Sequence, residues 1–173
     1  ADYHAEVSMK HRVEQEEYQI LVEGRADGVI ETVSGVTIDE IKCVYMDIHQ
    51  MEEPLPVHLA QALCYGYMYC CDHENVNTIT IQITYCNLET EEIRRLKQDK
   101  TREELETWFA GLIHEYVKWA EYLYRHTLRR DESLRELEFP YAYRAGQKEL
   151  AVSVYRVLAR KRNLFIQAPT GIG

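Results

Sequence analysis

The first 46 residues contain stretches that alternate between hydrophobic and polar positions, the spacing that places successive side chains on opposite faces of a β-strand. The alternation over 5–13 predicts a first strand, and residues 18–31 predict a second strand that two glycines interrupt. The polar segment 32–35 ends in glycine and predicts a hairpin turn before a third strand at 36–46. We therefore expect 5–46 to form an antiparallel meander.

The middle of the chain combines helical and strand patterns. Residues 47–56 predict a loop with two prolines, and a helix is expected from there to about 72, because proline is tolerated in a first helical turn. The β-branched run 76–86 predicts a fourth strand, and 91–100 favours a short strand. Together these elements predict an α/β fold in which the helix packs on a mixed sheet.

A capping-box signature at 101–104 marks the start of a long helix that extends to about 130. Five of its large side chains fall on one stripe: Trp108, Leu112, Tyr116, Trp119 and Leu123. We expect this stripe to pack in the core, with a base-stacking platform for nucleic acid as the alternative. A further helix is expected over 145–161, followed by a strand at 163–169.

Composition and charge narrow the class of protein. With 173 residues, of which 46% are hydrophobic and 28% charged, the chain has a globular composition. No apolar run reaches the roughly 20 residues of a membrane helix, so no membrane partner is expected. The five cysteines have no CxxC spacing, which indicates reduced thiols in a cytoplasmic protein. The net charge of −9 argues against a general nucleic-acid coat, but it leaves room for a metal-dependent nuclease with catalytic acids.

Charged residues cluster in the third predicted strand, where residues 37–43 read TIDEIKC. Side-chain alternation places Glu40 and Lys42 on one face and Asp39 on the other. Antiparallel pairing across the preceding turn brings Asp27 close to the level of Glu40. Two carboxylates and an ammonium at one patch are suited to binding Mg²⁺ and promoting phosphodiester hydrolysis. An ordinary cross-strand salt bridge explains the same residues, so this strand alone leaves both interpretations open.

Polar residues on the following helix add to this patch. His58, Gln61, Tyr65 and Met68 recur at helical spacing, and a purely apolar stripe would not include His and Gln. The order GxxD, ExK and QxxxY resembles the RecB-type branch of the PD-(D/E)xK nuclease superfamily. The matching segments are 24–27 (GRAD), 40–42 (EIK) and 61–65 (QALCY), within a similarity that covers about 20–87.

The resemblance implies a restriction-endonuclease-like mixed β-sheet flanked by helices and a DNA nuclease that depends on Mg²⁺ or Mn²⁺. It implies that Asp27 and Glu40 ligate the metal and that Lys42 is catalytic. It also implies that Gln61 and Tyr65 support the site or contact DNA.

Related nucleases supply further ligands that this sequence matches only in part. By the resemblance, the backbone carbonyl of Ile41 is an additional metal ligand. Many relatives carry a metal-ligating histidine on a helix upstream of the first strand, and this chain begins after the position expected for that helix. His4 and His11 are poor substitutes. The four-cysteine pattern that holds an iron–sulfur cluster in some relatives does not occur, so no such cluster is expected.

The carboxyl-terminal segment resembles the entry to a superfamily 2 helicase motor of the DinG/XPD type. The similarity is carried by 141–147 (YAYRAGQ), the helix after it and 163–173 (NLFIQAPTGIG). The nucleotide-binding residues that it implies are Arg144, Gln147, Thr170, Gly171 and Gly173. A phosphate loop continues with Lys and then Ser or Thr, which lie beyond this sequence, so no ATP binding is expected from this chain.

The two resemblances divide the chain into 1–138, a nuclease domain, and 139–173, the truncated start of a helicase motor. We expect both chain ends to lie inside a longer protein. The expected function is that of an Mg²⁺- or Mn²⁺-dependent deoxyribonuclease, an exonuclease on single-stranded DNA, in a nuclease–helicase that acts in DNA repair. The expected partners are single-stranded DNA and the C-terminal helicase domain of the parent chain.

Two alternatives to a nuclease remain. One is a catalytically inactive DNA-binding or DNA-guiding module of a helicase, favoured by the negative charge and the missing histidine helix. The other is a plain protein-interaction domain, which requires Asp27 and Glu40 to lie far apart.

Overall fold

The computed structural model describes residues 1–138 and 140–170 of the chain. A short 3₁₀ helix, Ile48–Gln50, precedes the first α-helix. The described strands and α-helices are β1 (Asp2–Glu14), β2 (Gln19–Thr32), β3 (Gly35–Val44), α1 (Pro56–Asp72), β4 (Thr78–Asn87), β5 (Ile93–Thr101), α2 (Arg102–Arg135) and α3 (Gln147–Ala159).

The five strands form one sheet in the order β1-β2-β3-β4-β5. All neighbouring strands are antiparallel except β3 and β4, which are parallel. Parallel neighbours need a crossover connection, and α1 supplies it between β3 and β4. The predicted antiparallel meander is confirmed as β1-β2-β3, and so is the α/β class with a mixed sheet flanked by helices.

The main hydrophobic core lies between α1 and the central strands. Ile38 in β3 and Ile81 in β4 are paired in the parallel ladder, and each is at most 1% exposed. Ala62 and Met68 of α1 are buried in the same cluster. Burying these apolar side chains fixes α1 over the strands that carry the predicted site.

The side-chain alternation of β2 is interrupted around Asp27. Ala26 and Val29 both belong to the main core, although an odd number of positions separates them. The neighbouring β1 is irregular at the same level, where Glu6 has a φ of 54°. Neither Glu6 nor Asp27 takes part in the ladder between β1 and β2. The irregularity lies on the β1 side of Asp27, and the register between β2 and β3 is unaffected by it.

The start of α2 has the predicted capping box. The backbone N–H of Glu104 donates to Thr101 Oγ1 at 3.2 Å, and the N–H of Thr101 donates to Glu104 Oε2 at 2.8 Å. Each side chain thereby satisfies a backbone donor that the first helical turn leaves without a partner.

The face that α2 buries differs from the predicted one. Leu105, Phe109 and Ile113 are at most 9% exposed, whereas Trp108 is only partly buried. The other four residues of the predicted stripe are exposed: Leu112, Tyr116, Trp119 and Leu123. The core prediction was wrong for these four residues, because the packed face of α2 is centred on Phe109 and Ile113 and the predicted stripe lies beside it on the helix surface.

The contacts divide the chain into two units, residues 1–126 and the residues from 127 onward. The division falls within α2, so a boundary between 138 and 139 stays a prediction. Helix α3 forms inside the segment predicted to be helical. The predicted strand at 163–169 is absent from the described structure, because these residues form no ladder with a neighbouring strand. No helix of the described part is long and apolar enough to cross a membrane.

Candidate active site

Glu40 and Lys42 lie side by side on the face of β3 that α1 covers. Lys42 Nζ donates to Glu40 Oε1 at 2.6 Å and to Gln61 Oε1 of α1 at 3.0 Å. The side chain of Glu40 is 1% exposed and that of Lys42 is 23% exposed. These two bonds use two of the three N–H donors of the ammonium. The strand and the helix therefore hold the amine in place and leave it one further donor.

Asp27 joins this pair from β2. The β2–β3 ladder ends at the pair Gly28–Asp39, which puts Asp27 at the level of Glu40, one residue beyond the ladder. Asp27 Oδ2 accepts a hydrogen bond from the backbone N–H of Ile41 at 2.8 Å. This bond ties the carboxylate of β2 to the backbone of β3 and brings the two predicted metal ligands together.

The other two predicted site residues connect the lysine to β2. Gln61 Nε2 donates to Tyr65 Oη at 3.3 Å, one helical turn further along α1. The Tyr65 ring lies against Gly24, where an added Cβ would stand 2.7 Å from Tyr65 Oη. The polar face of α1 thus runs from Lys42 to the glycine of the GRAD segment.

Glu40 has an unusual electrostatic environment. Its Oε2 is buried and has no hydrogen-bond partner among the residues that the structure describes. Burial is the main cause that raises the pKa of Glu40, the Lys42 ammonium opposes this rise, and the nearby Asp27 carboxylate adds to it. Leaving a buried acceptor without a donor costs free energy, which a bound cation would offset.

Two further polar residues adjoin the site and had no role assigned from the sequence. Tyr85 of β4 is paired with Lys42 of β3 in the parallel ladder, so their side chains share one face. Tyr85 Oη and His58 Nδ1 are hydrogen-bonded at 3.0 Å. The position of His58, three residues before Gln61, was a usable signal. Tyr85 offered none, because a tyrosine in an apolar strand is typical of a core.

Asp39 lies on the opposite face of β3, as its position in the strand predicts. Its side chain is buried, and Asp39 Oδ1 accepts a hydrogen bond from Thr84 Oγ1 at 2.6 Å. Thr84 Oγ1 in turn accepts from Gln82 Nε2 at 3.2 Å. Asp39 is therefore satisfied by β4 and is separate from the face that carries Glu40 and Lys42.

The two histidines of β1 have partners elsewhere. His11 Nε2 is hydrogen-bonded to Tyr67 Oη at 3.3 Å, and His4 Nε2 stands 4.0 Å from Glu31 Oε2. The expectation that neither histidine replaces the ligand of the upstream helix stays a prediction.

The predicted nucleotide-binding residues belong to the second unit. The backbone N–H of Arg144 donates to Gln147 Oε1 at 2.8 Å, just before α3. Thr170 is the last residue that the structure describes. Gly171 and Gly173 lie outside the described residues, so their predicted role stays a prediction.

The ligand set around Glu40 is chemically suited to Mg²⁺ or Mn²⁺. Within 1–138 and 140–170, no group of three or more His, Cys, Asp or Glu side chains lies together as a metal cage. Mg²⁺ commonly takes one or two carboxylates and keeps several waters, which matches Asp27 and Glu40 with its unpartnered Oε2. The carbonyl of Ile41, implied by the resemblance, adjoins Glu40 in the chain.

Comparison with known proteins adds little to this description. No model of a known protein family matches the sequence, and no curated protein is similar to it. Among solved structures, the crystal structure of SSO0001 is similar, with a TM-score of 0.43 and 18% sequence identity. The similarity covers 57% of this chain and 43% of SSO0001, so the chain spans less than half of that protein. A likeness at this level identifies neither a family nor an activity.

Proposed function

We propose that this chain is a Mg²⁺- or Mn²⁺-dependent deoxyribonuclease of the PD-(D/E)xK type, RecB branch, that hydrolyses single-stranded DNA. The observation that carries the proposal is a buried carboxylate with one oxygen bound to a lysine and the other oxygen without a donor. Glu40 Oε2 lacks a donor among the described residues, and Glu40 Oε1 binds Lys42 Nζ at 2.6 Å. A plain salt bridge needs no such buried second oxygen.

Each residue of the site has a separate role in phosphodiester hydrolysis. Asp27 and Glu40 hold the metal, which when bound polarises a phosphoryl oxygen and makes water a better nucleophile. Lys42 orients the attacking water or offsets charge developing on the phosphate. Gln61 Oε1 holds the Lys42 amine by accepting a hydrogen bond from it at 3.0 Å, and Tyr65 Oη holds Gln61 by accepting one from Gln61 Nε2 at 3.3 Å. This arrangement preorganises the lysine before DNA binds.

The test is cleavage of end-labelled single-stranded DNA with Mn²⁺ by the wild type and by Lys42→Ala. We expect the substitution to reduce kcat by about 100-fold or more, the usual cost of removing a preorganised donor to developing charge. Lys118→Ala is the matched control, because Lys118 lies on the exposed part of α2 and pairs only with Glu115 among its described contacts. Equal activity of the wild type and Lys42→Ala would contradict the proposal.

A catalytically inactive DNA-guiding module is the second candidate. The specific observation in its favour is that no cage of three metal-ligating side chains exists in the described structure. This candidate predicts binding of single-stranded DNA without Mn²⁺-dependent cleavage by the wild type. Binding and cleavage measured on the same oligonucleotide therefore separate the two functions.

We also propose that the segment from 139 onward begins a helicase motor of a parent nuclease–helicase in DNA repair. The supporting residues are Arg144 and Gln147, which lie together at the start of α3.

A further inference from the structure

His58 is held by a fully buried tyrosine. Tyr85 is 0% exposed, and its Oη lies 3.0 Å from His58 Nδ1. The backbone N–H of Leu55, at the start of α1, donates to the same Oη at 3.0 Å. The phenol therefore joins the beginning of the helix to the histidine three residues later.

These contacts favour one position of the imidazole proton. The backbone N–H of Leu55 donates a hydrogen bond to the phenol oxygen, and the O–H of the phenol still needs an acceptor of its own. Among the described residues, His58 Nδ1 is the acceptor that it reaches. Burial, and secondarily the Lys42 charge, lower the pKa of His58, so the ring is neutral at neutral pH. With Nδ1 accepting, the ring carries its proton on Nε2.

His58 lies one helical turn before Gln61, and its Nε2 is available. Three polar side chains of α1 contact three successive strands: His58 contacts Tyr85 in β4, Gln61 contacts Lys42 in β3, and Tyr65 contacts Gly24 in β2. In the described part of the chain, Nε2 of His58 makes no hydrogen bond, and the ring is only half-buried. A neutral N–H donor next to an ammonium suits a phosphate oxygen better than it suits a cation.

We propose that His58 is a substrate-binding residue whose Nε2–H donates to a non-bridging oxygen of a DNA backbone phosphate next to the one cleaved. This inference rests on the proposed nuclease function and adds to it a contact with the DNA backbone beside the cleaved phosphate. Tyr85 is the positioning residue, because it sets the tautomer and the orientation of the ring. The contact binds the strand and leaves the chemistry at Lys42 unchanged.

The test compares two substitutions that separate the two ring nitrogens. In His58→Asn the amide oxygen takes the place of Nδ1 and keeps the bond to Tyr85, whereas the Nε2 donor is lost. In His58→Gln the amide nitrogen takes the place of Nε2 and keeps the donor. We expect KM for single-stranded DNA to rise about tenfold in His58→Asn, the usual loss for a hydrogen bond to a charged group, and kcat to change little. His58→Gln should recover most of the wild-type KM.

Tyr85→Phe and His114→Ala complete the set. Tyr85→Phe removes the group that orients the ring, so its KM should lie between those of the wild type and His58→Asn. His114 is exposed on α2, and His114→Ala should match the wild type. An unchanged KM in His58→Asn would overturn the inference, and so would an equal rise in His58→Asn and His58→Gln. Thermal unfolding of each variant shows whether a raised KM reflects a damaged fold, and His58→Asn should unfold like the wild type.

Binding of the same oligonucleotide to the wild type and His58→Asn, measured by fluorescence anisotropy, separates this inference from the proposed function. Binding by the wild type that weakens about tenfold in His58→Asn, with no cleavage by either, would support the phosphate contact and contradict the nuclease. Cleavage by the wild type with an unchanged KM in His58→Asn would overturn the contact alone. A wild type that neither cleaves nor binds DNA would overturn both.

Discussion

At the scale of single residues, the site depends on close contacts that leave little room for change. Tyr65 occupies the space beside Gly24 that a larger residue would fill, and it holds Gln61, which holds Lys42. Because Tyr65 contacts Gln61 and Gln61 contacts Lys42, a displacement of the Tyr65 ring is passed to the amine. A displacement of about 1 Å in a catalytic group is enough to reduce a rate up to 100-fold.

Gly24→Ala tests this dependence. The added Cβ would stand 2.7 Å from Tyr65 Oη and 2.9 Å from Tyr65 Cε1, so the ring has to move. We expect the rate of DNA cleavage to fall between about tenfold and 100-fold. Gly111→Ala is the matched control, because an added Cβ there meets nothing within 4 Å and alanine favours the helix. Equal rates in the two variants would show that Tyr65 does not position the lysine.

We expect the stability of the fold to depend on pH through Glu40. This dependence is measured with a chelator present, so that no metal is bound. Its pKa is raised above the ordinary 4.5 because it is buried, so the folded state binds the proton more tightly than the unfolded chain. Stability from this group is complete below pH 4.5 and is lost as the pH rises through the raised pKa. We expect the melting temperature of Glu40→Gln to exceed that of the wild type at neutral pH and to converge with it in acid. The opposite order at neutral pH would contradict the burial argument.

At the scale of elements, the helical pattern of α2 predicted the wrong buried residues. Its apolar residues form one broad arc, and one edge of this arc contains Tyr116 and Trp119, which are exposed. The buried side meets the β1–β2 hairpin, where Phe109 and Ile113 pack with Ile20. Helical periodicity reports that a face is apolar, but contact with a sheet depends on which face the connection from β5 turns inward.

Alanine substitutions at a buried and at an exposed position of α2 measure this difference. Phe109 is 2% exposed, and Phe109→Ala is expected to lower the free energy of unfolding by about 3–5 kcal/mol. Trp119 is 66% exposed, and Trp119→Ala should change it by no more than about 0.5 kcal/mol. Urea denaturation of both variants tests the assignment, and a comparable loss in Trp119→Ala would show that this face is covered in solution.

At the scale of the whole molecule, every group of the proposed site lies in the first unit. The crossover through α1 makes β3 and β4 parallel and places the helix over both. Both hydrophobic clusters are built from residues before 121, and α3 has no buried residue. The stability of the sheet and the chemistry of the site should therefore be independent of the residues after α2.

A chain ending at Glu138 tests this independence. We expect it to unfold cooperatively with a melting temperature close to that of the full chain, because no described core residue is removed. Its Mn²⁺-dependent cleavage of single-stranded DNA should also be unchanged. Loss of cooperative unfolding on truncation would show that the second unit supports the first.

Features that depend on residues close in the chain could be predicted, whereas features that depend on distant residues could not. The meander, α1, β4, β5 and the capping box follow from neighbouring residues and agree with the prediction. The grouping of Asp27 with Glu40 required only the hairpin register, which a short turn fixes. The strand at 163–169 failed because its local pattern was favourable but its pairing partner was missing from the described structure.

The sequence by itself determined the strands, the helices and the three short segments that carry the candidate site, since alternation and helical spacing are properties of residues close in the chain. Only the tertiary structure decided that Glu40 Oε2 is buried without a donor and that α2 buries Phe109. It also decided that Tyr85 is hydrogen-bonded to His58 across 27 positions of the chain. Burial and hydrogen-bond partners of this kind depend on how distant elements pack, and no local pattern encodes them.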